Sequence, residues 1–118
     1  MALHAHVGRD CVYDELTAAY IYHKISKEDI RLQTAFYESI HMPRHYGMCV
    51  CNVIVRQHHN PVCCKIMEQW FELYMTYAKR DQLSFSCVLY QHHIPIADVA
   101  VLGDNVHMNP SFRILRHR

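Results

Sequence analysis

The stretch MCVCNVIVR, residues 48–56, decides the fold class because it carries the strongest strand signal in the sequence. It is rich in valine and isoleucine. Side chains alternate between the two faces of a strand, so cysteines and valines share one face while Asn52 and Arg56 lie on the other. Because both faces also carry apolar residues, the stretch predicts an interior strand that is covered on both sides.

Helical signals follow this strand. Asn60 and Pro61 predict a helix start, because Asn caps free amides and Pro suits the first helical position. Apolar residues then recur at helical spacing, at Val62, Ile66, Trp70, Leu73 and Tyr77. We expect a further helix over about 81–92, a final strand over 95–102 and an irregular tail.

Upstream of the strand, residues 2–6 predict a short strand that is followed by two helices. Asp14 and Glu15 lie in the first turn of the first helix, where carboxylates complement the helix dipole; this helix ends near residue 24. Ser26 and Asp29 resemble a capping box, which predicts a second helix reaching about residue 40.

The predicted order of elements is therefore β-α-α-β-α-α-β, a pattern typical of an α/β domain with a mixed sheet flanked by helices. A length of 118 residues and a hydrophobic content of 51% fit a single domain with its own core. Three strands are few for a sheet covered on both faces. We therefore expect the sheet to be incomplete, with part of the fold upstream.

The composition excludes several classes of function. A net charge of +1 and the lack of a basic stripe argue against nucleic acid as a partner. No apolar run is long enough to span a membrane and no signal segment is recognisable, so we expect a cytoplasmic protein. The six cysteines lie among apolar neighbours, which predicts reduced, buried thiols rather than a disulfide framework.

Arg80, Asp81 and Gln82 are the first candidates for chemistry. They gather charged and amide groups at a predicted helix start, where such groups could hold a hydroxyl-rich ligand. The alternative is a simple helix cap, in which Asp81 accepts backbone amide protons.

Further residues turn this segment into part of an ordered series. The series consists of His6, Arg9, Cys11, Tyr13, Glu15, Gln33, Tyr37, Pro43, Gly47, Asn52, Arg56, His58, Trp70 and Arg80-Asp81-Gln82-Leu83-Ser84-Phe85. It resembles a glycosyltransferase-like family of GT-A-like architecture that was long catalogued as a domain of unknown function. The family occurs in bacterial surface-polysaccharide proteins and in plant mucilage-related Golgi proteins.

The resemblance implies transfer of a sugar from a nucleotide-sugar donor to a glycan or polysaccharide acceptor. It also implies an upstream nucleotide-binding half with an acidic Trp-Ile-Asp-Gly-type motif, which these residues lack. We therefore expect the chain to be the acceptor-side half and to be inactive alone. A Mn²⁺ or Mg²⁺ ion would act only together with the donor-binding half, and we expect none bound to this chain.

The resemblance also implies roles for individual residues. Asp81 and Gln82 would face the donor sugar, and Glu15 is a second carboxylate that could act as a base. Substrate-binding roles fall to His6, Arg9, Tyr13, Asn52, Arg56 and Arg80. His117 is the candidate metal ligand, with His107 as a weaker alternative. For Arg56, a buried salt bridge is an equally good interpretation.

Other interpretations compete with the enzyme. A structural zinc site has few signals, because no Cys-x-x-Cys pair occurs and Cys49 and Cys51 lie in mid-strand among valines. A nucleophilic pair of Cys11 and His6 would need an electropositive, partly open setting. The strongest competitor is a non-catalytic homologue that acts as an oligomer or a partner-binding scaffold through an exposed apolar edge.

Overall fold

The computed structural model describes residues 1–116. Over these residues the chain forms two strands, five helices and one 3₁₀ turn. In chain order they are β1 (Ala2–Ala5), α1 (Val12–Ile21), α2 (Lys27–Ser39), β2 (Cys49–Val55), α3 (Pro61–Thr76), α4 (Gln82–Gln91), α5 (Ile96–Val99) and the 3₁₀ turn Val106–Met108. The mixed α/β class is confirmed.

The sheet of the described chain is small. Strands β1 and β2 pair antiparallel, with His4 opposite Val50 and Ala5 opposite Cys49, and the register shifts between Ala2 and His4. The prediction that β2 is an interior strand was wrong, because β1 is its one partner among residues 1–116. Alternation and apolar content describe the faces of a strand, and they carry no information about how many neighbours it has.

The predicted final strand over 95–102 was also wrong. Pro95 precedes a single helical turn, in which Val99 is buried and the half-buried Ile96 packs against the same core cluster. A Pro at this point fixes φ near the helical value, which favours the turn. The segment then becomes extended and lies along the free edge of β1, where Leu102 donates to the Leu3 carbonyl at 3.0 Å. Over the described residues the order is β-α-α-β-α-α-α, and no GT-A-like sheet is visible.

The helix caps predicted at Ser26 and Asn60 are confirmed. Ser26 and Asp29 form a reciprocal capping box at the start of α2. The Asn60 side chain accepts the amides of Val62 and Cys63 at the start of α3, with Pro61 in the first turn. None of the helices in the described part of the chain combines the length and the apolar character that a bilayer crossing requires.

Helix α4 lies at the centre of the molecule. Its residues from Leu83 to Leu89 are all buried, and it packs against α1, α3 and β2. A helix that is apolar on all sides is stable only when other elements surround it. One core cluster, around Leu16, Tyr37 and Leu83, lies against α1 and α2, and a second lies against β1, β2 and α3.

Two polar side chains of α2 join this helix to the rest of the core. The buried Tyr37 hydroxyl donates to the Leu83 carbonyl at 2.5 Å. Buried Gln33 donates to the same carbonyl at 3.5 Å and accepts the Ala78 amide at 3.3 Å. Both ends of the α3–α4 connection are therefore held by α2.

Gly47 is the tightest point of the loop that leads into β2. Its φ is +108°, and a Cβ placed there would lie 2.8 Å from Cγ1 of Ile96. Its amide donates to the Asp10 carbonyl at 2.8 Å, and its carbonyl accepts the Ser86 hydroxyl at 2.9 Å. The loop thus binds both the start of α1 and helix α4.

We expect Gly47→Ala to destabilise the domain more than Gly103→Ala. Gly103 also has a positive φ, +95°, but a Cβ there would meet no atom within 4 Å. Both variants bear backbone strain on the order of 1–3 kcal/mol. Only Gly47→Ala adds an overpacking cost of about 1–3 kcal/mol against Ile96. Urea unfolding of the two variants measures the difference, and equal losses would contradict the Ile96 contact.

Candidate functional site

The main candidate site is a cavity of about 300 Å³ between the end of β2, helix α3 and the start of α4. We call it the aromatic cleft. It is lined by Arg56, Met67, Trp70, Phe71, Tyr74 and Asp81. Two residues from separate sequence motifs, Arg56 and Asp81, thus face one cavity.

Helix α3 supplies the aromatic wall. Trp70, Phe71 and Tyr74 lie on one face because residues three and four apart on a helix are neighbours. The Trp70 Nε1–H donates to the Asp81 carbonyl at 3.0 Å, and its ring packs on Phe85 with centroids 4.6 Å apart. These contacts fix the ring and hold the start of α4 against α3.

Asp81 is both a helix-start residue and a wall of the cleft. Its Oδ1 accepts the Gln82 amide at 2.8 Å, so the capping interpretation is confirmed. The side chain is exposed, and its other carboxylate oxygen stays free to meet a ligand. Gln82 and Arg80 are half-buried and do not line the cleft.

Arg56 is a free cation at the mouth of the cleft. It is exposed and forms no ion pair with any residue in the described range, 1–116. The interpretation of Arg56 as part of a buried salt bridge was therefore wrong. Its guanidinium is available to an anionic ligand.

The residues predicted from the N-terminal motif form a turn instead of lining this cleft. Nδ1 of His6 accepts the amides of Gly8 at 3.1 Å and of Arg9 at 3.0 Å. Nε of Arg9 donates to the buried Glu15 carboxylate. These bonds tie β1 to α1, and they occupy Glu15, the second candidate base.

Tyr13 is likewise engaged within the fold. Its hydroxyl donates to the Met42 carbonyl at 2.6 Å, and the Arg44 guanidinium lies 4.5 Å above its ring. Burial raises the pKa of Tyr13, an effect that Arg44 opposes. The phenol therefore stays protonated and bonded at neutral pH.

A second cavity, which we call the polar cleft, has a volume of about 190 Å³. Its polar walls include His4, His6, Asn52 and His107. Nδ1 of the buried His4 has no hydrogen-bond partner in residues 1–116. Asn52 lies in β2, and Arg56 follows the last residue of this strand. Four residues span about 13 Å along a strand, so the two side chains line different clefts.

The aromatic cleft does not fit a divalent cation. Asp81 is the one carboxylate among its lining residues, and the cation Arg56 is also in the wall. Mn²⁺ and Mg²⁺ are held by oxygen ligands, usually with more than one anionic donor. His117, the predicted metal ligand, lies outside the described residues. The exposed His107 lines the polar cleft.

The cysteines are unpaired, as predicted. All six are free, and four of them are buried. Burial raises the pKa of Cys49 to about 11 and that of Cys87 to about 12, and it raises the pKa of Cys51 further. These three thiols are protonated at neutral pH and pack as small apolar groups.

Comparison with known proteins identifies the class. A family model described as the TOD1/MUCI70 glycosyltransferase-like domain matches residues 1–109. The chain therefore belongs to the TOD1/MUCI70 glycosyltransferase-like domain family. No curated protein and no solved structure matches the chain.

We expect Glu15→Gln to act on stability. Loss of the charge weakens the hydrogen bond from Arg9 and leaves a buried amide in its place, at a cost of about 1–3 kcal/mol. The same substitution at Glu28 is a matched control, because Glu28 also pairs with an arginine but both partners are exposed. Thermal unfolding should show a clear loss for Glu15→Gln and little change for Glu28→Gln. Equal effects would contradict a structural role for Glu15.

Proposed function

We propose that this domain binds nucleotide sugars and glycans in the aromatic cleft and serves the transfer of a sugar to a glycan acceptor. Membership of a glycosyltransferase-like family supports the class of reaction. The observation that carries the proposal is the convergence of Arg56, Asp81 and three aromatic rings on one cavity.

The lining of the cleft suits such ligands chemically. Aromatic faces stack on nucleobases and on the apolar faces of sugar rings. A guanidinium pairs with diphosphate oxygens through charge-assisted hydrogen bonds. A carboxylate accepts hydrogen bonds from sugar hydroxyls. A mostly apolar pocket with a few placed polar groups is typical of small-ligand sites.

In this proposal the free Oδ2 of Asp81 is the general base. It takes the proton of an acceptor hydroxyl while that oxygen bonds to the anomeric carbon, and the bond from this carbon to the diphosphate breaks. Arg56 stabilises the charge on the departing diphosphate. The half-buried Arg80 and Gln82 position Asp81 from the same segment.

The polar cleft is a second proposed contact for the acceptor. Its wall contains buried His4 beside the exposed amide of Asn52. The Asn52 amide can both donate to and accept from a hydroxyl of the acceptor. His6 lines the same cleft, whereas Arg9, Tyr13 and Glu15 support the turn behind it.

A fluorescence titration tests binding in the aromatic cleft, because Trp70 is the one tryptophan in the sequence. Titration with UDP-glucose, GDP-mannose and a cello-oligosaccharide should give a saturable change in Trp70 emission for at least one probe. Arg56→Ala should weaken nucleotide-sugar binding by about 10-fold or more, as expected for a lost charged hydrogen bond. Asp81→Asn should retain binding in the same titration.

Arg31→Ala is the matched control, because Arg31 is exposed on α2 and does not line the cleft. It should leave the titration unchanged. If folded protein shows no saturable change with any of these probes, the proposal fails. Equal effects of Arg56→Ala and Arg31→Ala would also contradict it.

A second candidate function is a scaffold that forms a dimer with another copy of the chain. Large apolar side chains are exposed on α3 and β2, with Phe71 at 64% and Met75 at 55%. These two residues lie one helical turn apart. In the described chain the outer edge of β2 pairs with no strand, which offers backbone groups for pairing.

Sedimentation velocity tests the scaffold proposal. The unmodified protein should sediment as a dimer, and the double variant Phe71→Glu/Met75→Glu as a folded monomer. Met108→Glu is the control, because Met108 is exposed by 82% in the tail and outside α3. A monomer at every accessible protein concentration would exclude this function.

A further inference from the structure

A cluster of three potential metal ligands lies at the start of α1, outside the residues that line either cleft. It consists of Cys11, Asp14 and His45, whose ligand atoms lie within 4.8 Å of one another. Cys11 is buried, whereas Asp14 and His45 are exposed. The residues come from two segments 34 positions apart, so the fold brings them together.

Two backbone features hold the cluster. The Gly47 amide donates to the Asp10 carbonyl at 2.8 Å, which ties the loop before β2 to the residue before Cys11. His45 has a φ of +58°, a left-handed conformation that a residue other than glycine seldom adopts. Such strain persists where surrounding contacts impose it, and it clusters at functional sites.

Asp10 orients the histidine. Its Oδ1 lies 2.7 Å from Nδ1 of His45, so an Nδ1–H donates to the carboxylate and Nε2 remains free. Metal-binding histidines commonly have this arrangement, in which a carboxylate fixes the tautomer and raises the basicity of the other nitrogen. In addition to its three potential ligands, the cluster thus has an outer partner, Asp10.

Helix capping does not explain why Cys11 lies in this cluster. Cys11 occupies the N-cap position of α1 but accepts no capping hydrogen bond, where Ser, Asp or Asn would. The N-terminus of α1 carries a partial positive charge from the helix dipole. It opposes a cation by about 0.3–1 kcal/mol, which is small beside the binding energy of zinc with thiolate and imidazole ligands.

We propose that Cys11, Asp14 and His45 bind a Zn²⁺ ion through the thiolate sulfur, a carboxylate oxygen and Nε2. A fourth position is left for water. On binding, the Cys11 thiol releases its proton to solvent, and three metal–ligand bonds replace bonds from zinc to water. Sulfur and imidazole ligands select zinc over the oxygen-binding Mg²⁺ and Mn²⁺.

Zinc binding requires the ligand atoms of the cluster to move closer together. Ligand atoms around a tetrahedral zinc ion lie roughly 3.3–3.8 Å apart, given bonds of about 2.0–2.3 Å. The ligand atoms of the cluster must therefore move closer together, and the exposed side chains of Asp14 and His45 can make this movement. The ion would join the start of α1 to the loop before β2.

Cobalt substitution tests the site, because Co²⁺ occupies tetrahedral zinc sites and reports thiolate ligands by a charge-transfer band. Metal-free protein titrated with CoCl₂ should bind one equivalent with this band, and Zn²⁺ should displace it. Asp14→Asn and His45→Gln should each weaken binding at least 10-fold. Asp10→Asn should weaken it about 10–100-fold, as for other outer partners of metal ligands. Cys11→Ser should abolish the band.

His41→Gln and Cys64→Ser are the matched controls. His41 is an exposed histidine with a similar φ of +54° just before the same loop, and Cys64 is a half-buried thiol elsewhere. Both should bind cobalt as the unmodified protein does. If Cys11→Ser does not fold, the exposed Asp14 and His45 variants decide the result. Binding that survives both of them, or that lacks the thiolate band, would overturn the proposal.

Discussion

The carbonyl of Leu83 is the point on which the rest of the structure depends. Tyr37 and Gln33 of α2 both donate to it, and Gln33 also accepts the Ala78 amide. All of these groups are buried, where an unmade hydrogen bond is costly. The segment between Ala78 and Leu83 is therefore fixed by the core. Because Asp81 lies in this segment, the contacts from α2 also fix its position in the wall of the aromatic cleft.

Signals that act within one turn of the chain were predictable from the sequence. The capping box at Ser26 and the Asn60 cap depend on neighbours three residues away, and both are present. Pairing was not predictable in the same way. The segment after Pro95 has strand-like composition, yet packing of Ile96 and Val99 against the core gives it a helical turn. Leu102 and Gly103, just after this turn, form backbone hydrogen bonds with β1.

For the candidate sites as well, the residues of motifs were predictable from the sequence, whereas residues brought together by the fold were not. Asp81 and Arg56 were predicted from motifs, and they meet at one cleft. Phe71 and Tyr74 were missed because the apolar periodicity of α3 was counted on the face towards the core, and these rings belong to the neighbouring face. The group of Cys11, Asp14 and His45 was missed because it depends on the bond between Gly47 and Asp10, which joins distant segments.

The seven consecutive buried residues of α4 have a consequence for genetics. The helix begins directly after Asp81, so one short segment of sequence is both the interior of the protein and the edge of its cleft. Alleles at Leu83 or Phe85 would lower the amount of protein in the cell. Alleles at the exposed Asp81 would remove one capping hydrogen bond, lower that amount less and alter the wall of the cleft. Protein abundance measured beside phenotype therefore separates the two kinds of allele within five consecutive codons.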